Sequence, residues 1–180
     1  ETAKQNKISN LGSITRCVSA GAIMPATLNS EYELYFNNLL LDGYGITETS
    51  TMVTMNWQSN RKIGSCGIPI PGMSVRIISP QNVEAAPNQE GELICYGPNL
   101  MIGYHNKEEE TKKVFKDKWY YTGDLAKRDN DGFITITGRL KELIIRGGQN
   151  ISPAEIEEAI FKDNQILDCA IVGKNHDTLG

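Results

Sequence analysis

Between Gly43 and Thr49 the chain runs Gly-Tyr-Gly-Ile-Thr-Glu-Thr, setting an aromatic ring, threonine hydroxyls and a carboxylate within one short loop. Such a ring offers a flat face for a base, a hydroxyl can meet a phosphate or carboxylate oxygen, and a carboxylate can hold Mg²⁺. The same residues also suit a plain turn, and their types alone leave both readings open. A second group lies in Gly138–Glu158, where Arg139, Lys141 and Arg146 surround Leu143-Ile144-Ile145 ahead of Gly147-Gly148. By residue type this is an anion site, a joint between domains, or ordinary scaffold.

The surrounding pattern indicates which elements must position these groups. Ile14 to Ala20 reads as a buried strand and Gly21-Ala22 as a small-residue turn. Pro25 to Asn37 reads as a helix with Leu28, Tyr32, Leu34, Tyr35 and Phe36 on one side. Leu39 to Leu41 is a short strand running into Asp42-Gly43-Tyr44-Gly45, so the first loop sits at a strand's carboxyl end in a strand–helix–strand unit.

Beyond Thr54 the pattern changes to short strands with turn residues between them, Met73 to Ser79 and Gly91 to Tyr96 among them, which predicts a small antiparallel sheet or barrel. Lys107 to Phe115 reads as a charged helix. Trp119 to Ala126 and Gly132 to Gly138 flank a turn at Asp129-Asn130-Asp131-Gly132. That turn is similar to the first half of a calcium loop, but the distal glutamate is missing and a plain turn is the reading. Ser152, Pro153 and Glu155 form the pattern of a capping box opening a helix to Lys162, with a strand expected over Ile166 to Val172.

The 180 residues are 39% hydrophobic and 22% charged with a net charge of −4, ordinary for a globular chain and short of the basic surplus that nucleic-acid binding uses. No apolar run approaches the ~20 residues of a membrane helix, and the first residues lack the order of a signal peptide. Cys17, Cys66, Cys95 and Cys169 are widely spaced with no CxxC, which favours reduced thiols, no zinc site and a cytoplasmic location. The chain starts at Glu1 and stops at Gly180 after an apolar pattern, and is expected to be a piece of a longer one.

Gly43 to Glu48 resembles the (G/N)-x-Y-G-x-T-E motif of the adenylate-forming superfamily, the acyl- and aryl-CoA synthetases, luciferases and adenylation domains. Ser19-Ala20-Gly21-Ala22 is similar to its small-residue turn. Gly64 to Gly72 resembles its GSxGxPxPG, and Gly91 to Tyr104 its GELxxxGPxxxxGY. Tyr121-Thr122-Gly123-Asp124 resembles its Y-x-T-G-D, though shifted in form after Trp119-Tyr120. Gly138 to Glu158 matches GRxKExIxxGGxNIxPxEIE. The motifs occur in family order over nearly the whole chain.

The resemblance implies a fold of α/β and α+β type. Residues 1–54 would be the end of a parallel α/β nucleotide-binding subdomain, 55–140 a small antiparallel β subdomain, and 141–180 the start of a small α+β C-terminal domain with its hinge at Lys141. It implies that Tyr44 stacks on adenine, that Thr47 contacts phosphate or the acyl carboxylate, and that Glu48 holds Mg²⁺. Gly21, Ala22, Asp42, Gly43 and Gly45 are implied as nucleotide-binding positions, Asp124 as the acceptor for the ribose hydroxyls, and Arg139 as a cation near ribose and phosphate. Gly147 and Gly148 would face the pantetheine.

The implied function is ATP-dependent ligation of a small carboxylic acid to a thiol through an acyl-adenylate, with ATP/AMP, Mg²⁺ and CoA or phosphopantetheine taking part. Alternatives are an adenylation domain loading a carrier protein, and a non-catalytic nucleotide-binding module. The family's phosphate-binding loop and its C-terminal catalytic lysine match no stretch here, so the 180 residues alone are expected to lack useful adenylating activity.

Overall fold

A computed structural model describes residues 2–7, 9–147, 149–161, 163 and 165–174. The chain divides into two compact units. The first comprises Glu1–Ser74, Gly97–Ile102 and Gly132–Thr135, and the second Val75–Tyr96, Gly103–Asp131 and Ile136–Gly180.

The first unit contains helix α1 (Thr2–Gln5), strand β1 (Cys17–Ser19), helix α2 (Ala26–Phe36) and strands β2 (Leu40–Tyr44), β3 (Thr54–Met55) and β4 (Ile68–Pro69). Its sheet has the order β1-β2-β3-β4. β1 and β2 run parallel, with Cys17 opposite Leu40 and Ser19 opposite Asp42, while β2–β3 and β3–β4 are antiparallel. The strand–helix–strand order of the opening residues therefore holds, and parallel neighbours require such a crossover. The buried strand expected over Ile14 to Ala20 is corrected: β1 is three residues long and at the edge of its sheet, with Ile14 and Val18 exposed.

α2 spans the predicted helix to within a residue at each end and stops at Asn37, whose φ of 48° is left-handed. Its inward face differs from expectation. The buried residue is Asn29, whose Nδ2 donates to the Leu40 carbonyl at 3.1 Å, while Leu28 and Leu34 are exposed. At 3.6 residues per turn Leu34 points away from Tyr32, Tyr35 and Phe36. Glu33 completes the attachment by accepting the Leu40 N–H at 2.9 Å and a bidentate pair from Arg61.

The second unit holds β5 (Ser74–Ile78) from its second residue, β6 (Gly91–Tyr96), helix α3 (Glu108–Val114), β7 (Phe115–Lys116), β8 (Trp119–Arg128) and β9 (Ile134–Arg139) from Ile136 on, Ile134 and Thr135 belonging to the first unit. It continues with β10 (Ile144–Arg146), β11 (Gln149–Ile151) and helix α4 (Pro153–Ile160). Sheet order is β5-β6-β8-β7 with β9 also on β8, and β6–β8 and β7–β8 are antiparallel. Val75, Ile77, Leu93, Ile94, Cys95, Tyr120, Leu125 and Ala126 form its apolar core. Truncating a side chain as enclosed as Leu93 costs ~2–5 kcal/mol. In the turn at 129–132 the Asp131 N–H donates to Asp129 Oδ1 at 3.0 Å, an aspartate-capped turn.

β10 and β11 pair antiparallel as a separate two-stranded sheet. Two expectations for this unit are corrected. Ser152 stands at the α4 N-cap without a side-chain cap bond, because its hydroxyl donates to the Thr137 carbonyl at 2.7 Å. Ile166 to Val172 forms no strand. No described strand pairs with it, and the Ile171 N–H goes instead to Glu157 Oε1 at 2.8 Å. β-propensity without a partner strand makes no ladder.

Candidate active site

The Gly43–Thr49 loop is built by the carboxyl end of β2. Asp42 is 8% exposed, and its Oδ1 has no hydrogen-bond partner. Burial pushes its pKa up to about 6, while the Gly43 N–H holds it down. Tyr44 and Glu48 are half-buried and Thr47 is exposed. A Cβ at Gly45 would lie 1.3 Å from the Thr51 carbonyl oxygen, so the returning chain passes where any other residue would place a side chain.

Thr47–Thr49 forms a single 3-10 turn. Thr49 is fully buried and closes that turn from both sides. Its Oγ1 accepts the Ile46 N–H at 3.1 Å and donates to the Ile46 carbonyl at 2.8 Å. The Glu48 carbonyl accepts the Met101 N–H at 2.7 Å, and Asn99 Nδ2 donates to the Met52 carbonyl at 2.8 Å. Asn56 holds the base of the loop, donating from its N–H to the Asp42 carbonyl at 2.9 Å and from Nδ2 to the Ser65 carbonyl at 2.6 Å. Sequence reasoning missed Asn56, Asn99 and Met101, since each acts through a carbonyl far away in the chain. Thr49 was visible only as part of the motif.

At Ser19-Ala20-Gly21-Ala22 the residues are mostly exposed, and Gly21 has φ +92° with nothing within 4 Å of an added Cβ. Conformation, not crowding by the chain, is what demands glycine there.

In the second unit Asp124 lies on a bulge of β8. Glu92 faces Leu125 and Ile94 faces Tyr121, so two steps along β6 are matched by four along β8. Thr122-Gly123-Asp124 thus stand opposite Leu93 alone, a surplus of two residues, and bulges of this kind re-aim side chains beside functional sites. Thr122 Oγ1 donates to the Leu93 carbonyl at 2.7 Å and accepts the Asp124 N–H at 3.0 Å. Gly123 takes φ +74° and donates its N–H to Glu92 Oε1 at 3.0 Å. Glu92 has a raised pKa, chiefly through burial, with the Gly123 N–H and Lys116 opposing and Asp124 adding to the rise.

Asp124 itself is 3% exposed, and its Oδ1 accepts Arg139 Nε at 2.9 Å. Lys141 sits on the surface in a 3-10 turn, Leu140–Glu142, directly after β9. Gly147 is the exposed turn of the β10–β11 hairpin with φ +56°, and Gly148 lies outside the described residues. Tyr44, Thr47 and Glu48 thus belong to the first unit and Asp124, Arg139, Lys141 and Gly147 to the second. Among the described residues no group of three or more His, Cys, Asp or Glu side chains could hold a metal, and no helix is long and apolar enough to cross a membrane.

Residues 1–105 match the family model of the AMP-binding enzymes, and the chain belongs to that family. Over 167 residues it is 40% identical to a long-chain-fatty-acid–CoA ligase of Bacillus subtilis, covering 91% of this chain and 30% of the ligase. Over 166 residues it is 37% identical to a feruloyl-CoA synthase of Amycolatopsis, covering 91% of this chain and 34% of the synthase. Among solved structures it superposes on the o-succinylbenzoate CoA synthetase of Bacillus subtilis in complex with its acyl-adenylate intermediate, with TM-score 0.88 and 28% identity. That alignment covers 99% of this chain and 37% of the synthetase. The chain therefore spans about a third of the length of the relatives it matches.

Proposed function

We propose that the full-length protein is an ATP-dependent acid–thiol ligase that couples a carboxylic acid to AMP, releases pyrophosphate, and passes the acyl group to CoA. The observation that carries this reading is the buried Asp124 carboxylate, set on a glycine bulge and held by the exposed Arg139. A structural aspartate needs no such presentation, whereas a carboxylate that must receive two adjacent hydroxyls does. In this reading Asp124 accepts from the ribose and Arg139 lies near ribose and phosphate. Tyr44 stacks on adenine, with Asp42, Gly43 and Gly45 as its neighbours, and Gly21 and Ala22 lie along the base and acyl group.

Thr47 donates to phosphate or to the acyl carboxylate, and Glu48 holds Mg²⁺. The donor set fits that ion. Magnesium takes one or two carboxylates and completes its shell with water and phosphate oxygens, and the loop supplies one carboxylate without a wider cluster. When bound, the ion would neutralise charge on the phosphates.

The proposed domain division at residues 54 and 140 puts the hinge at Lys141, an exposed residue in a short turn after β9, able to absorb backbone rotation without disturbing a core. Gly147 and Gly148 would then serve the pantetheine. Met52 and Met55 pack around Gly43, 2.5 and 2.9 Å from an added Cβ, which keeps that position a glycine. The free thiols are in keeping with a cytoplasmic enzyme.

Loading of a carrier protein is the second reading. Incubating the full-length enzyme with ATP, Mg²⁺ and a panel of acids, then with CoA or a pantetheinylated carrier, separates the two. Thioester on CoA supports the proposal. Thioester on the carrier alone selects the alternative, and no acyl-adenylate with any acid leaves only the non-catalytic reading.

A further inference from the structure

We infer that Glu92 is a positioning residue for nucleotide recognition, fixing the β8 bulge that presents Asp124. This rests on the reading of Asp124 as the ribose acceptor. Gly123 stands inside the bulge, off the regular β6–β8 ladder, so its N–H has no cross-strand carbonyl to meet. Glu92 supplies the acceptor from its side chain at 3.0 Å, and Thr122 closes the other side through the Leu93 carbonyl. Glu92 and Leu93 are neighbours on β6, so two consecutive residues of one strand clamp three consecutive residues of the other.

The clamp has a chemical reason. A backbone N–H left without an acceptor in a half-buried setting favours any rearrangement that satisfies it. Sliding β8 back into register would do so. The surplus is two residues, so the faces of the strand would be kept, but Asp124 would be drawn out of the bulge into the regular ladder and lose its present aim. Glu92 is poorly chosen on electrostatic grounds alone. It is half-buried, and it sits close enough to Asp124 for the two charges to oppose each other. What makes a long side chain with a terminal oxygen useful there is its reach to Gly123 N. The required property is the acceptor and its distance, not the negative charge. Glu92→Gln should therefore be tolerated, and Glu92→Met and Glu92→Asp should not.

The test is the ratio of kcat/KM for ATP to that for 2′-deoxy-ATP in the full-length enzyme, which reads ribose recognition and is insensitive to a loss that affects both nucleotides alike. Asp124→Ala provides the reference, and a ratio it leaves unchanged refutes the ribose reading itself. If Asp124→Ala collapses the ratio, Glu92→Met is expected to lower it about tenfold, the worth of a charge-assisted contact, with KM for ATP rising more than kcat falls. Glu92→Gln should stay within about threefold of wild type. Adding Glu92→Met to Asp124→Ala should lower the ratio no further, because Glu92 acts through Asp124. Should Glu92→Met fail to fold, Glu92→Asp serves in its place, keeping the charge while drawing the oxygen back from Gly123. A wild-type ratio in the Met or Asp variant, or a collapsed ratio in Glu92→Gln, overturns the inference.

Discussion

Arg139 donates from Nε to Oδ1 of Asp124 at 2.9 Å, joining a guanidinium whose side chain is 58% exposed to a carboxylate side chain only 5% exposed. The asymmetry suits the roles proposed for the two residues. The buried acid cannot turn to another cation, whereas the exposed arginine can move to a phosphate without leaving a cavity.

Arg139→Ala removes the cation beside a buried carboxylate. Because Arg139 is mostly exposed, the loss of stability is expected at the low end for such pairs, ~1–2 kcal/mol. The effect on catalysis should be larger, with kcat/KM for ATP falling about 10²-fold as transition-state charge loses its partner. Arg139→Lys should restore less than half of that free energy, since an ammonium lacks the planar fork. Urea melts and steady-state kinetics check the two parts separately.

Asp42 gives a pH signature. Its folded pKa, raised to about 6, exceeds the unfolded value, so the native state holds the extra proton between about pH 4 and 6 and stability falls as pH rises through that window. Asp42→Asn removes the cost of the buried charge. It should raise stability by roughly 1–3 kcal/mol at about pH 7.5 and hardly at all at about pH 4. Melting curves at the two pH values check this, and an equal shift at both would contradict it.

Glu33 behaves in the opposite sense. The Arg61 hydrogen bonds hold its carboxyl below the usual range, against the opposing effect of burial. Its contribution is therefore present above the unfolded glutamate pKa, about 4.3, and is lost as pH falls through the lower folded value. Glu33→Gln should cost ~1–2 kcal/mol at about pH 7, with the difference from wild type closing as pH falls below the folded value. A difference that persists in acid would mean that the Leu40 N–H, not Arg61, is the partner that matters.

Thiol reactivity distinguishes the cysteines. Burial pushes the Cys95 thiol up to about 12, and Cys66 is buried with its Sγ 3.3 Å from the Ile134 carbonyl oxygen. Both should resist a disulfide reagent in the native protein and react in urea, because the thiolate is the nucleophile. Peptide mapping after labelling identifies the sites, and rapid native labelling of Cys95 would contradict the packing of β6.

Much of the fold was legible where local pattern and final environment agree. β6 occupies Gly91–Tyr96 as predicted, and α2 and α3 fall within a residue of their expected bounds. Two-residue strands such as β3, β4 and β7 carry no periodicity and exist only through their neighbours. Ser152 shows a local signal overruled from a distance, its hydroxyl drawn to Thr137 instead of its own helix. Of the site, the residue types could be read directly. The β8 bulge could not, because it is a mismatch of register between strands about thirty residues apart in the chain, and so Glu92 went unrecognised as a partner of Gly123.

The most direct measurement of the central claim is acid-dependent ATP–pyrophosphate exchange by the full-length enzyme, wild type against Glu48→Ala and Asp124→Ala. The wild type should exchange only when its acid is present. Each variant should lose ~10²–10³-fold, the usual consequence of removing one group that stabilises charge in such a site. Exchange at wild-type rates in both variants, or none in the wild type with any acid, would contradict the account.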